Sequence, residues 1–115
     1  MNTDDKGLAY LDIADGLARI SSNKALYSLL LDKFLADQNW MKLCDSREKD
    51  DLGEAANAAH AIKGACANLS MKSLCGAAAE LEASLKAGMK DDGLFEAMRA
   101  SREETIAAVN AYKAQ

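Results

Sequence analysis

From Leu52 to Leu85 the apolar positions recur alternately three and four residues apart, the spacing of helices that bury one stripe. Leu52, Ala55, Ala59, Ile62, Cys66 and Leu69 form one seam, and Met71, Leu74, Ala78, Leu81 and Leu85 form the next. Ser70 between them reads as an N-cap after a tight break, and Gly88 suits the end of the second helix. Asp51 with Glu54 three residues later resembles a capping box, with Asp in place of the usual Ser or Thr. Upstream, Leu8, Leu11, Ile13, Leu17 and Ile20 predict a short N-terminal helix or helical turn. Ser21-Ser22-Asn23 then signals a stop and a new start.

A long helix is expected from there to about Arg47. Its first half, Ala25 to Leu31, is apolar nearly all round and predicts thorough burial. Trp40, Met41 and Cys44 continue a narrower stripe, and Ser46 to Asp51 reads as a solvated turn. A last helix starts at Asp91-Asp92-Gly93, with Phe95, Met98, Thr105, Val109 and Tyr112 inside. Short connections between long amphipathic helices favour antiparallel neighbours. The expected architecture is all-α: an antiparallel up-and-down four-helix bundle with a short N-terminal capping helix, residues 1–115 forming one domain.

Composition agrees. Half of the 115 residues are apolar, few of them are aromatic, and there is no proline. A net charge of −4 argues against nucleic-acid binding, which needs clustered Lys and Arg. No apolar run approaches the length of a membrane span. Met1 to Lys6 is acidic and lacks the apolar stretch of a secretory signal, so a cytoplasmic protein is expected. Cys44, Cys66 and Cys75 are odd in number and lack a metal-ligand spacing, and they read as small core residues in a reducing compartment.

The candidate chemistry lies in Ala58-Ala59-His60-Ala61-Ile62-Lys63-Gly64, which holds the only histidine of the chain. Residues three and four apart share a helix face, so His60, Lys63 and Gly64 form one patch. His60 follows the seam residue Ala59 by about 100° and falls on the flank of the buried stripe. A lone flanking histidine usually has no role. Here it is accompanied by a cation suited to phosphoryl oxygens. It also has a mid-helix glycine, which costs about 1 kcal/mol relative to alanine and calls for either close helix packing or access for a partner. Counting outward from a break near Ser70 puts Glu82 at the height of His60. Equal offsets from the two seams let the side chains either meet or both point away. A meeting would fix the imidazole tautomer and leave the other nitrogen free to attack.

With these residues in place, the chain resembles the histidine-containing phosphotransfer (HPt) family. The matching stretch runs from Asp51 to Leu85: Ala59-His60-x-x-Lys63-Gly64, Ala67-Asn68-Leu69, Leu74, and Ala79-Glu80-Leu81-Glu82. Tyr10-Leu11-Asp12, Gly16-Leu17, Leu30 and Phe34-Leu35 resemble the family's N-terminal pattern. The resemblance implies a phosphorelay intermediate rather than a self-sufficient enzyme, exchanging a phosphoryl group with an aspartate of a response-regulator receiver domain. By that likeness His60 is the phosphoacceptor, Lys63 the nearby positive charge and Gly64 the small residue that admits the receiver. Glu82 falls where the family often has a Gln or Glu that bonds the imidazole.

No cofactor is expected on this chain, the Mg²⁺ of the reaction belonging to the receiver. The implied partners are a receiver and a sensor or hybrid histidine kinase, and the chain is compatible with either a free protein or one domain of such a kinase. The rival readings are an interaction bundle that is never phosphorylated and, more distantly, a metal-binding bundle. Ser70 and Met71 depart from the family's usual glycine and small residue, and Ala65 replaces a frequent serine.

Overall fold

In the computed structural model, which describes residues 5–115, the described chain is helical and has no strand. The helices are α1 (Asp5–Tyr10), α2 (Ile13–Ala18), α3 (Lys24–Ala36), α4 (Asn39–Glu48), α5 (Leu52–Leu69), α6 (Lys72–Lys86) and α7 (Asp92–Lys113). Of the acidic stretch Met1 to Lys6, which carries the expectation about a secretory signal, Met1–Asp4 lies outside the described residues.

The bundle proper consists of α4, α5, α6 and α7, with α3 leading into α4 and lying against α5 and α7. The central helix α5 packs along α4 and α6, and α6 packs on α7. Both seams of the α5–α6 hairpin face inward: Ala55, Ala59, Ile62, Cys66, Leu69, Met71, Leu74, Ala78, Leu81 and Leu85 are all buried. Alanines at the contact let the helix axes approach closely, so two long helices share a thin core of small side chains. Phe95, Met98, Thr105 and Val109 of α7 close it, together with the buried Ser101. The capping signals at Asp51 and Asp91 are used: each carboxylate accepts the backbone N–H three residues on, at 3.1 and 3.0 Å.

Four expectations need correction. The long helix to Arg47 is broken at Asp37, whose backbone turns extended and whose side chain accepts from both the backbone and the side chain of Asn39. Asp and Asn in sequence offer the backbone local hydrogen bonds that compete with helix. The break redirects α4 so that Trp40 stacks on Phe95 at 5.4 Å, with Arg47 over the Phe95 ring and Arg102 over Trp40. The first half of α3 is not buried all round: Tyr27 and Leu31 point inward, but Leu26 and Leu29 are exposed. The N-terminal cap is two six-residue helices, because Asp12 caps α2 and ends any continuation of α1.

The fourth correction concerns Ser70. It is the C-cap of α5 in the left-handed region, φ 59°, and α6 begins after Met71 without a side-chain cap. Met71 N–H reaches back to Cys66 O at 3.0 Å and Ser70 N–H to Ala67 O, the paired bonds of a Schellman ending. Glycine would take this conformation more readily. The serine is held there by its side chain, which donates to Asp15 and accepts from Arg19 Nε at 3.1 Å, both from α2. Asp12 N–H to Ser70 O and Lys72 to Asp12 complete a clamp between cap and hairpin turn.

The packing of α2 on α3 leaves no room for a side chain at Gly16. A Cβ there would stand 2.6 Å from the fully buried ring of Tyr27, whose hydroxyl donates to Leu69 O at 3.3 Å. The ring is also held edge-on by Tyr112. Gly16→Ala is therefore expected to destabilise the fold by about 1–3 kcal/mol in urea unfolding, the usual cost of overpacking.

Candidate functional site

Residues His60 and Lys63 sit one turn apart on α5 because the buried stripe of that helix runs through Ala59 and Ile62 and leaves its neighbours on the flank. On α6, Leu81 is buried in the core and Glu82 follows it, turning toward α5. The two helices run antiparallel from the Ser70 turn, so the matched offsets bring His60 and Glu82 together rather than apart. His60 Nδ1 lies 3.0 Å from Glu82 Oε2. The burials are unequal: the histidine side chain is 65% exposed, while the glutamate side chain is 5% exposed.

A buried carboxylate needs compensation, and it has two cations. Lys86 Nζ stands 2.7 Å from Oε2 and Lys63 Nζ 2.9 Å from Oε1. The Lys63 contact is electrostatic, since Oε1 has no well-directed hydrogen-bond donor among the described residues. Lys86 first and Lys63 second hold the Glu82 carboxyl down to about 2 against the opposing effect of burial, with His60 adding to them. Lys86 was not singled out from the sequence, although the Glu82–Lys86 spacing of four, acid before base, is a recognisable helix pair.

An ionised carboxylate can only accept, so Nδ1 must donate to it. In the neutral ring the lone pair then resides on Nε2, which forms no hydrogen bond among the described residues and belongs to an exposed side chain. Gly64 continues the open face: a Cβ there would meet nothing within 4 Å. Of the two explanations for this glycine, close helix packing is thereby removed. The exposed face carries on through Ala61, Ala67 and Asn68. Beyond it, between α2, α3 and α5, lies a groove of about 720 Å³, lined by Ile20, Leu30, Phe34, Ala65, Asn68 and Leu69 among others. It lies beside the histidine rather than over it.

The thiols are free; Cys66 is buried, and burial pushes it up to about 12, while Cys44 and Cys75 are half-buried. Among the described residues no group of three His, Cys, Asp or Glu is placed to hold a metal ion. Nor is any described helix long and apolar enough to cross a membrane.

A family model for the Hpt domain matches residues 25–112. The chain belongs to the Hpt domain family. No curated protein and no solved structure matches it significantly. Hpt domains are phosphotransfer intermediates of two-component relays rather than classical enzymes, and they work with kinases and receiver domains. The all-helical bundle agrees with the Hpt fold.

The electrostatics of Glu82 carry an expectation for stability. Its carboxyl is held near 2 in the folded protein against an ordinary value of 4.5, so the folded state prefers the ionised form. That contribution is complete above about pH 4.5 and is lost as pH falls toward 2. Glu82→Gln should therefore lose less stability than the wild type across that window, measured as urea midpoints at successive pH values.

Proposed function

We propose that this Hpt domain accepts a phosphoryl group on Nε2 of His60 and exchanges it reversibly with an aspartate of a receiver domain. The observation that carries the reading is the split at one ring: Nδ1 faces the buried Glu82 carboxyl at 3.0 Å, and Nε2 is left free on an exposed side chain. In that arrangement Glu82 orients the imidazole. Lys63 and Lys86 put positive charge beside the ring, suited to a phosphoryl group, while Gly64 leaves room for the partner's loops.

In the transfer, the Nε2 lone pair attacks phosphorus in line, the bond to the aspartyl oxygen breaks, and the aspartate leaves as a carboxylate. Positioning and charge stabilisation account for most of such a step. Glu82 is the carboxylate nearest the ring and is already engaged by two lysines, a poor disposition for holding Mg²⁺. The metal of the reaction is accordingly assigned to the receiver. The groove beside α5 extends the surface that a receiver would cover. We read residues 1–115 as one module acting in the cytoplasm, supplied by a sensor or hybrid histidine kinase, either as a free protein or as a domain of that kinase.

Incubation with purified phosphorylated receivers tests this. A cognate receiver should transfer label to His60 as an acid-labile, base-stable adduct. A chain that binds a receiver yet never acquires that adduct would instead be an interaction module.

A further inference from the structure

Resting on that reading, a second role for Glu82 follows from its charge rather than from its position. We propose that the Glu82 carboxylate keeps the phosphorylated His60 ring protonated at Nδ1, so that the phosphoryl group is stored on a ring that can always leave as neutral imidazole.

The chemistry is balanced without a proton. When neutral His60 attacks through Nε2, the Nε2–P bond forms and the Nδ1 hydrogen stays in place, so the product is a phosphoimidazolium carrying one positive charge. In return transfer an aspartate oxygen attacks phosphorus and the electron pair of the Nε2–P bond goes back to Nε2, releasing neutral imidazole. If Nδ1 had lost its proton, the leaving group would be an imidazolate, a far stronger base and a poor leaving group. The proton on Nδ1 therefore decides whether the stored phosphoryl is available.

The site is arranged to hold it. Nδ1 lies 3.0 Å from Oε2, and Glu82 is buried while remaining ionised. An opposite charge at hydrogen-bond distance stabilises the charged ring, more so where water is partly excluded. Lys63 of α5 and Lys86 of α6 are the cations drawn to Glu82. From the neighbouring elements, Arg47 of α4 pairs with Asp92, and Arg99 of α7 pairs with Glu96 and Glu103. Two lysines and one carboxylate leave a single net positive charge around the empty ring. A dianionic phosphoryl on a protonated ring adds a single net negative charge, so the loaded site is neutral. With an amide at position 82 the loaded site would instead carry a net positive charge, and the ring would lose its reason to stay protonated.

Phosphoramidate supplies the test without any receiver: its P–N bond breaks, ammonia leaves, and the phosphoryl passes to Nε2. Hydrolysis of the adduct is then followed against pH in the wild type and in Glu82→Gln, which keeps a hydrogen-bond acceptor for Nδ1 but not the charge. Water attacks phosphorus, and neutral imidazole and dihydrogen phosphate separate. The two rates should converge in acid. The alkaline fall-off of the variant should come about one pH unit earlier, leaving it roughly tenfold slower at pH 8. Superimposable profiles would overturn the proposal and leave the orienting role intact. As a measurement free of mutation, ring-nitrogen NMR of the phosphorylated wild type should show Nδ1 titrating higher than in a phosphorylated peptide of residues 55–65, and an equal value overturns it as well. Failure of phosphoramidate to label the folded chain at His60 would overturn the phosphoacceptor reading itself.

Discussion

His60→Gln is expected to lose phosphoryl uptake altogether, with label falling to background against any phosphorylated receiver, while helical content and unfolding midpoint stay near the wild type. The chain has no second histidine to take over. The substituted side chain is mostly exposed, and substitutions at such positions usually move stability within about 0.5 kcal/mol. Glutamine can also still donate to Glu82, so the buried carboxylate is not stranded. The check is parallel: labelling by gel autoradiography, and far-UV circular dichroism with urea unfolding. Equal labelling of variant and wild type would remove His60 from the mechanism.

Residue 64 should separate stability from docking in opposite directions. The open space over Gly64 means that a side chain there strains nothing, and replacing a mid-helix glycine removes a cost of about 1 kcal/mol. Gly64→Gln is thus expected to be at least as stable as the wild type. Its side chain would stand one turn from Nε2, in the path of an approaching receiver. Receiver binding should weaken at least tenfold, and transfer at fixed receiver concentration should slow accordingly. Calorimetric titration and urea unfolding of the same preparation decide it. A large loss of stability would restore a packing role, and unchanged binding would place the receiver elsewhere.

Much of the fold was legible because α5, α6 and α7 are long and strictly periodic. Their seams, their caps at Asp51 and Asp91, and the left-handed Gly88 after α6 follow from local rules. The misjudged elements are those where short-range chemistry competes with periodicity. Asp37 and Asn39 bond to each other and break what the apolar pattern alone presents as one helix. Leu26 and Leu29 belong to a helix with more apolar residues than the core can receive, so part of that face stays exposed. Ser70 looks like an N-cap because serine usually is one. Its left-handed conformation depends on Asp15 and Arg19, more than fifty residues earlier.

The candidate site divides in the same way. Sequence by itself determined that His60, Lys63 and Gly64 share one face and that Glu82 stands at the height of His60, since all of these follow from a rise and a rotation per residue along two helices. Only the tertiary structure decided that His60 and Glu82 meet, that Glu82 is buried and ionised, and that Lys86 joins Lys63 in holding it so. Helical periodicity says which residues share a face. It does not say how far two packed helices are turned toward each other, and at this site that rotation separates a solvated glutamate from a buried one 3.0 Å from the imidazole.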